Sequence, residues 1–344
     1  MRILFSCFSS KLGLIFLLLL FFLKINAQDL HYSQFYNSPQ NLNPALTGVF
    51  NGDHRFVGSL RDQWRFVPVP WFTMSGTYDR KLYILPGEQQ FLGVGAFFNH
   101  DRQGDGNFNL TTLAAQGAYH RILHPNHILS GGLTLGLASR GFNTQNFTWD
   151  KQWNGDTFDP SLSSQEGFEN FERINFLDMG LGLNYRWQKN SRTNVDIGGS
   201  VLHLFEPNNA FYNFDLAELP RRFTATLMGS FKLADIFDIQ VHGLHQSQGE
   251  YNETIIGGLG KIYISQSRGK EVQLHLGAGY RTSGSLFPTV AIQYNNIYAS
   301  FSYDVDDNIF NQIVGINRGG PEFHVRYIIA NVKPMRNAKV CPIY

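Results

Sequence analysis

The run Asp101-Arg102-Gln103-Gly104-Asp105-Gly106 begins as a calcium loop does, with oxygen-bearing side chains at alternate positions and glycine sixth. Its twelfth position is Thr112, where such a loop needs a bidentate glutamate, and no helical pattern flanks it. A solvated turn is the better reading. Asp304, Asp306 and Asp307 also gather carboxylates in one place. Three acids at a strand end lack the rest of a cation's ligand set, so cation site and hydrated cap both stay open. The 11 histidines stand singly, none paired at a metal-ligand spacing on a helix. Serine, histidine and aspartate all occur, yet no local motif marks a nucleophile. Gly93-Val94-Gly95 and Gly277-Ala278-Gly279 are not followed by helices, which removes the nucleotide-loop reading. Catalytic residues and cofactors are therefore not expected, and no metal site is assigned.

What these residues sit on is more informative. Ile297, Ala299, Phe301, Tyr303 and Val305 share one face of a strand, and Tyr298, Ser300, Ser302 and Asp304 share the other. Val272, Leu274, Leu276, Ala278 and Tyr280 alternate in the same way with Gln273, His275, Gly277 and Gly279. Fourteen such segments can be marked, near 53–62, 72–82, 91–99, 107–120, 127–141, 176–187, 193–204, 222–233, 237–246, 252–264, 271–281, 287–295, 297–305 and 321–331. Many reach ten residues or more, longer than the strands of most soluble sandwiches. Short connections, such as those at Asn295-Asn296 and Ala234-Asp235, alternate with a series that includes the long ones at 142–175, 205–221 and 306–320. That alternation, with an even strand count, predicts an all-β, transmembrane antiparallel barrel with both ends on the periplasmic side. His203, His242, His275 and His324 fall within strands and are expected to line a polar interior. In-strand glycines such as Gly132, Gly136 and Gly182 are expected to ease bending and leave room in the lumen.

The N-terminus sets the compartment. Arg2 and Lys11 precede the apolar run Leu12 to Leu23, and a small residue, Ala27, closes the segment. This reads as a secretory signal peptide over 1–27, too short to span a bilayer comfortably. Its removal takes three basic residues and no acid, leaving 25 basic against 27 acidic and a net charge of −2. Such a chain has no electrostatic footprint for nucleic acid. It would keep only Cys341, so no intramolecular disulfide is expected. Charged residues make up 16%, well below the usual quarter, and aromatics 15%. Few charges and many rings suit a wall that faces lipid and, in an outer membrane, lipopolysaccharide.

Residues 28–52 break the alternation with Asn, Pro and Gly and are expected to be a turn-rich periplasmic lead-in, with 53–331 the barrel and 332–344 a periplasmic tail. The lead-in carries specific motifs: Gln28-Asp29, Tyr32-Ser33-Gln34 and Asn43-Pro44-Ala45-Leu46-Thr47-Gly48, followed by Arg61-Asp62-Gln63-Trp64 and Pro70. With Gly320-Pro321-Glu322-Phe323-His324-Val325-Arg326-Tyr327 and the ending Val340-Cys341-Pro342-Ile343-Tyr344, the chain resembles the PorP/SprF family of type IX secretion outer-membrane proteins. It departs from that family at Arg65 to Thr73 and in its last two residues. The resemblance implies a non-enzymatic barrel supporting secretion or surface anchoring of a cognate protein of gliding or adhesin type. The partners it implies are a cargo with a type IX C-terminal sorting domain and periplasmic or outer-membrane secretion components.

Two candidate contact sites follow. Asn43, Pro44 and Ala45 would meet periplasmic partners. The loop 142–175 carries Phe147, Trp149, Trp153, Phe158, Phe168 and Phe171, too many rings for a disordered tract. It is open to three roles: an inward plug, an outward contact surface with Trp149 and Trp153 as anchors, or a loop packed on its own rim. The competing functional expectation is a passive porin-like channel for small or hydrophobic solutes.

Overall fold

The computed structural model describes residues 29–63, 71–82, 89–104, 106–143, 147–165, 171–211, 217–267, 269–306 and 319–330. The expected signal peptide, the tail 332–344, Trp64, Asp105 and Asp307 lie outside the described residues.

The strands are β1 (His54–Gln63), β2 (Trp71–Leu82), β3 (Gln90–Gln103), β4 (Phe108–His124), β5 (His127–Asn143), β6 (Phe171–Gln188) and β7 (Asn194–Leu202). They continue as β8 (Arg222–Ala234), β9 (Phe237–Gln248), β10 (Tyr251–Ser265), β11 (Val272–Arg281), β12 (Ser285–Tyr294) and β13 (Ile297–Tyr303). Val305–Asp306 extend β13 on β12 in unbroken register, and β14 is Pro321–Ile329. Each strand pairs antiparallel with its sequence neighbours, and β14 returns to β1, from Arg61 opposite Glu322 to His54 opposite Ile329. The sheet is thus a closed fourteen-strand barrel, which leaves no sheet edge exposed to lipid. Among the described residues no helix is long and apolar enough to cross a membrane; the chain crosses with strands.

Alternation decides which way each side chain points. On β5, Leu133, Leu135 and Leu137 are 51%, 49% and 61% exposed on the outer face, while Thr134, Gly136 and Ala138 are buried on the inner one. Leucines on the outside and polar or small residues within invert a water-soluble protein, as lipid requires. On β11, Leu274 and Leu276 face outward, and Gln273 lines an internal vestibule. Leu274→Arg should therefore cost roughly 2–4 kcal/mol if it sits near the midplane, whereas Gln273→Arg should be tolerated. Urea-dependent unfolding from liposomes checks this, and equal sensitivity at both positions would mean the assigned faces are wrong.

The lead-in is where the fold departs from expectation. Residues 29–50 do not stand in the periplasm. They run through the lumen as three consecutive 3₁₀ turns, Phe35–Asn37, Pro39–Asn41 and Pro44–Leu46, and most of their side chains are buried. The physical reason is hydrogen-bond supply. Three short turns leave many backbone groups unpaired, and a barrel interior rich in amides, hydroxyls and charges can satisfy them.

Candidate functional site

The site is the lumen and what fills it. At the waist, Asn43 caps the third turn: its side-chain oxygen accepts from the Ala45 N–H at 2.9 Å, and its amide donates to the Leu183 carbonyl at 2.8 Å. Gln116 on β4 accepts from the Thr47 hydroxyl at 2.9 Å and donates to the Gln40 carbonyl at 2.8 Å. The Ser200 hydroxyl on β7 donates to the Leu42 carbonyl, and Arg222 on β8 donates to the Asn41 carbonyl at 2.7 Å. Asp79, paired to Arg55 at 2.8 Å, accepts from the Gly48 N–H at 2.7 Å. Backbone groups with no ladder are thus answered one by one from the walls.

Two wall glycines show how close the fit is. A Cβ at Gly182 would lie 2.0 Å from the Asn43 side-chain oxygen, and one at Gly132 would lie 2.4 Å from the Pro44 carbonyl carbon. The room these glycines leave in the lumen is room for Asn43 and Pro44. Asn43, Pro44 and Ala45, expected to face periplasmic partners, are buried against β5 and β6 and present no surface there.

Toward the long-loop end, charges hold the start of the plug. Arg61 on β1, 1% exposed, pairs with Asp304 at 2.5 Å and reaches Glu322 on β14 at 3.5 Å. Glu322 accepts from the N–H groups of Ser33 (2.8 Å) and Gln34 (2.7 Å). The Ser33 hydroxyl donates to Asp304 at 2.7 Å and accepts from Arg281 at 2.7 Å, while Arg281 also pairs with Glu253 at 3.1 Å. His324 completes the cluster at 2.8 Å from Glu322. Asp304 is therefore matched by cations and a hydroxyl from the protein itself, and among the described residues no group of three acids, histidines or cysteines is placed to hold a metal.

A second anchor is Asp29, held by Arg222 at 2.7 Å and by His203 at 2.9 Å; His203 also meets Asp178 at 3.0 Å. Burial pushes the His203 imidazole down, but the two carboxylates win and raise it to about 9. Asp29 is pushed up by burial and pulled further down by Arg222 and His203, so its carboxyl lies well below the usual range. The pair is ionised at neutral pH.

Above the plug, the described parts of the connection from β7 to β8, 203–211 and 217–221, pack against the wall. Leu219 packs with Ala138, Phe176 and Leu110, and Phe211 meets Phe142 edge-on with centroids 4.7 Å apart. The described part of the aromatic loop, 147–165, is mostly exposed and does not fill the lumen. An antiparallel bridge joins Trp153 to Phe158, whose rings lie 5.2 Å apart, and each ring stays about half exposed (49% and 48%). Trp149 is half-buried beside Phe147, at 5.8 Å. Among the described residues, the segment that fills the lumen is 29–50 and not this part of the loop.

Periodicity could not reveal the plug, because a segment of 3₁₀ turns has no strand or helix period. The available signal was the pair of inward positions, Gly132 and Gly182, at which every side chain had been removed from neighbouring strands.

A closed fourteen-strand wall with lipid-type residues outside and a polar interior sealed by its own N-terminal segment defines an outer-membrane β-barrel. The model of the family described as type IX secretion system membrane protein PorP/SprF matches residues 24–327, and the chain belongs to that family. No curated protein matches it. Among solved structures it is similar to the toluene transporter TbuX of Ralstonia pickettii, at 11% identity over 85% of this chain and 92% of that one (TM-score 0.48). A FadL homologue of Pseudomonas aeruginosa aligns at 11% identity over 83% and 91% (TM-score 0.48). The toluene transporter TodX of Pseudomonas putida aligns at 10% over 84% and 92% (TM-score 0.48).

Proposed function

We propose that this outer-membrane barrel is a non-enzymatic accessory of type IX secretion that supports export or surface anchoring of one cognate secreted protein. The observation that carries the reading is the division of labour within the barrel. Its waist is filled by residues 29–50, which argues against a standing route for solutes, while exposed rings at Trp153 and Phe158 are offered on the long-loop side, the cell exterior in such barrels. Exposed rings beside polar neighbours are what protein partners use as anchors. The cargo's C-terminal sorting domain is the partner that this surface suits.

Trp149→Ala combined with Trp153→Ala should leave heat-modifiable migration of the barrel unchanged and reduce display of one surface protein. If those rings act as hot spots, each truncation costs on the order of 2 kcal/mol in binding. Quantitative proteomics of cell surface and culture medium reads the result. Unchanged secreted and surface-bound proteins after deletion of the whole gene, with impaired solute uptake, would overturn the reading in favour of the passive channel.

A further inference from the structure

Below the plug, toward the short turns, the lumen opens into a vestibule of about 570 Å³. Val49 and Phe50 at the end of the plug, followed by Asn51, line its inner end, and the turn residues Ser191, Arg192, Gln266 and Glu271 rim it. Five cations line it. Three have carboxylate partners: Arg55 with Asp79 at 2.8 Å, Arg186 with Asp196 at 3.3 Å and Arg192 with Asp238 at 2.5 Å. Lys261 and Arg326 do not. Lys261 donates to the Ser230 hydroxyl at 3.2 Å, and the Arg326 guanidinium lies 4.4 Å over the Tyr298 ring. Among the described residues, Lys261 and Arg326 have no carboxylate within ion-pair reach.

The wall between them is continuous. Lys261 on β10 is opposite His275 on β11; two residues along β11, Gln273 is opposite Gln293, which is opposite Tyr298, which is opposite Arg326. The backbones of β10 and β14 are four strand spacings apart, about 19 Å along the wall. Between the cations the lining is the amides of Gln273 and Gln293, while Gln240 and Ser230 lie on the other side of Lys261 with Asp238, which Arg192 holds, and Glu271 stands at the rim. Glutamine amides supply donors and acceptors together, the complement of a peptide backbone, and two separated cations ask for more than one carboxylate. Lys261 stands opposite Asp238 on β9, but that carboxylate is taken up by Arg192, so two half-buried positive charges lack an ion-pair partner of their own, and an anionic ligand from outside would offset that cost.

We propose that this vestibule binds an extended acidic peptide segment, with its carboxylates on Lys261 and Arg326 and its backbone on the glutamine wall. The site lies at the opposite end of the barrel from the aromatic loop and goes beyond the cargo reading. An occupant would also touch the plug, since Phe50, clamped between Arg55 (4.6 Å) and Lys81 (5.2 Å), forms part of the inner end.

The test uses the full-length protein in detergent and fluorescein-labelled pentaglutamate, followed by fluorescence anisotropy. Saturable binding that weakens with added salt is expected, with pentalysine and free glutarate failing to compete at matched concentration. Lys261→Gln with Arg326→Gln should weaken binding roughly tenfold or more, because charge-assisted contacts carry it. The charge-preserving swap Lys261→Arg with Arg326→Lys should restore most of it and guards against misfolding as the cause. Absent binding, equal affinity in the neutralised variant, or competition by pentalysine would overturn the proposal. Competition by glutarate at pentaglutamate's own concentration would overturn the peptide assignment and leave a small dicarboxylate site.

Discussion

Removing residues 31–47 should convert a silent barrel into a conducting pore. In planar bilayers the intact protein is expected to pass almost no current, because the waist is occupied by a segment whose backbone carbonyls accept from wall side chains, from Gln116 to Arg222. The shortened protein should show stable open steps, since fourteen strands enclose more space than wall side chains alone can fill. Gly182→Val supplies a milder version. Its side chain would collide with Asn43, and such overpacking costs roughly 1–3 kcal/mol, enough to loosen the plug without deleting it. Intermittent openings are expected there. Current through the intact protein equal to that through the deletion variant would show that residues 29–50 do not seal the lumen.

The second large effect concerns the buried charges at the seam. Arg61→Met should destabilise the barrel by about 3–5 kcal/mol, because it leaves Asp304 and Glu322 buried without their main cation. The loss should appear as a lower midpoint in urea unfolding from liposomes and as a plug more open to protease at Ser33 and Gln34. Exchanging an exposed charge such as Arg221, paired to Glu206 at 3.2 Å on the surface, should change little by comparison. If Arg61→Met and Arg221→Met behaved alike, the cluster would not be what fixes the start of the plug.

The walls were legible because a strand in a barrel writes its two environments into every second residue. The segment marked at 127–141 is observed at His127–Asn143, and Leu274 and Phe301 point outward as their alternation requires. The lumen was less legible. Ser300 was an inward polar position like Gln273, yet it is buried and accepts a hydrogen bond from Asn37 of the plug at 3.1 Å. Which inward residues face water and which face the plug depends on contacts between residues hundreds of positions apart, and a local pattern does not carry those. Asn43-Pro44-Ala45 shows the same limit. Its residue types announce a turn, but only the glycines opposite it in β5 and β6 show where that turn is kept.

One consequence concerns the order of assembly. Ser33 and Gln34 bind Glu322, a partner 289 and 288 positions further along the chain, on the strand that closes against β1. Contacts so distant in sequence form late and slowly. The anchoring of Ser33 and Gln34 is therefore complete only once the last strand is in place. Glu322 then joins closure to occupancy, since the carboxylate that binds the N-terminal amides also faces Arg61 across the join. A chain that zipped shut with its N-terminal segment left outside would bury that carboxylate without two of its donors. Closing the wall and filling the lumen thus draw on the same carboxylate, and a barrel closed empty forgoes two hydrogen bonds at its seam.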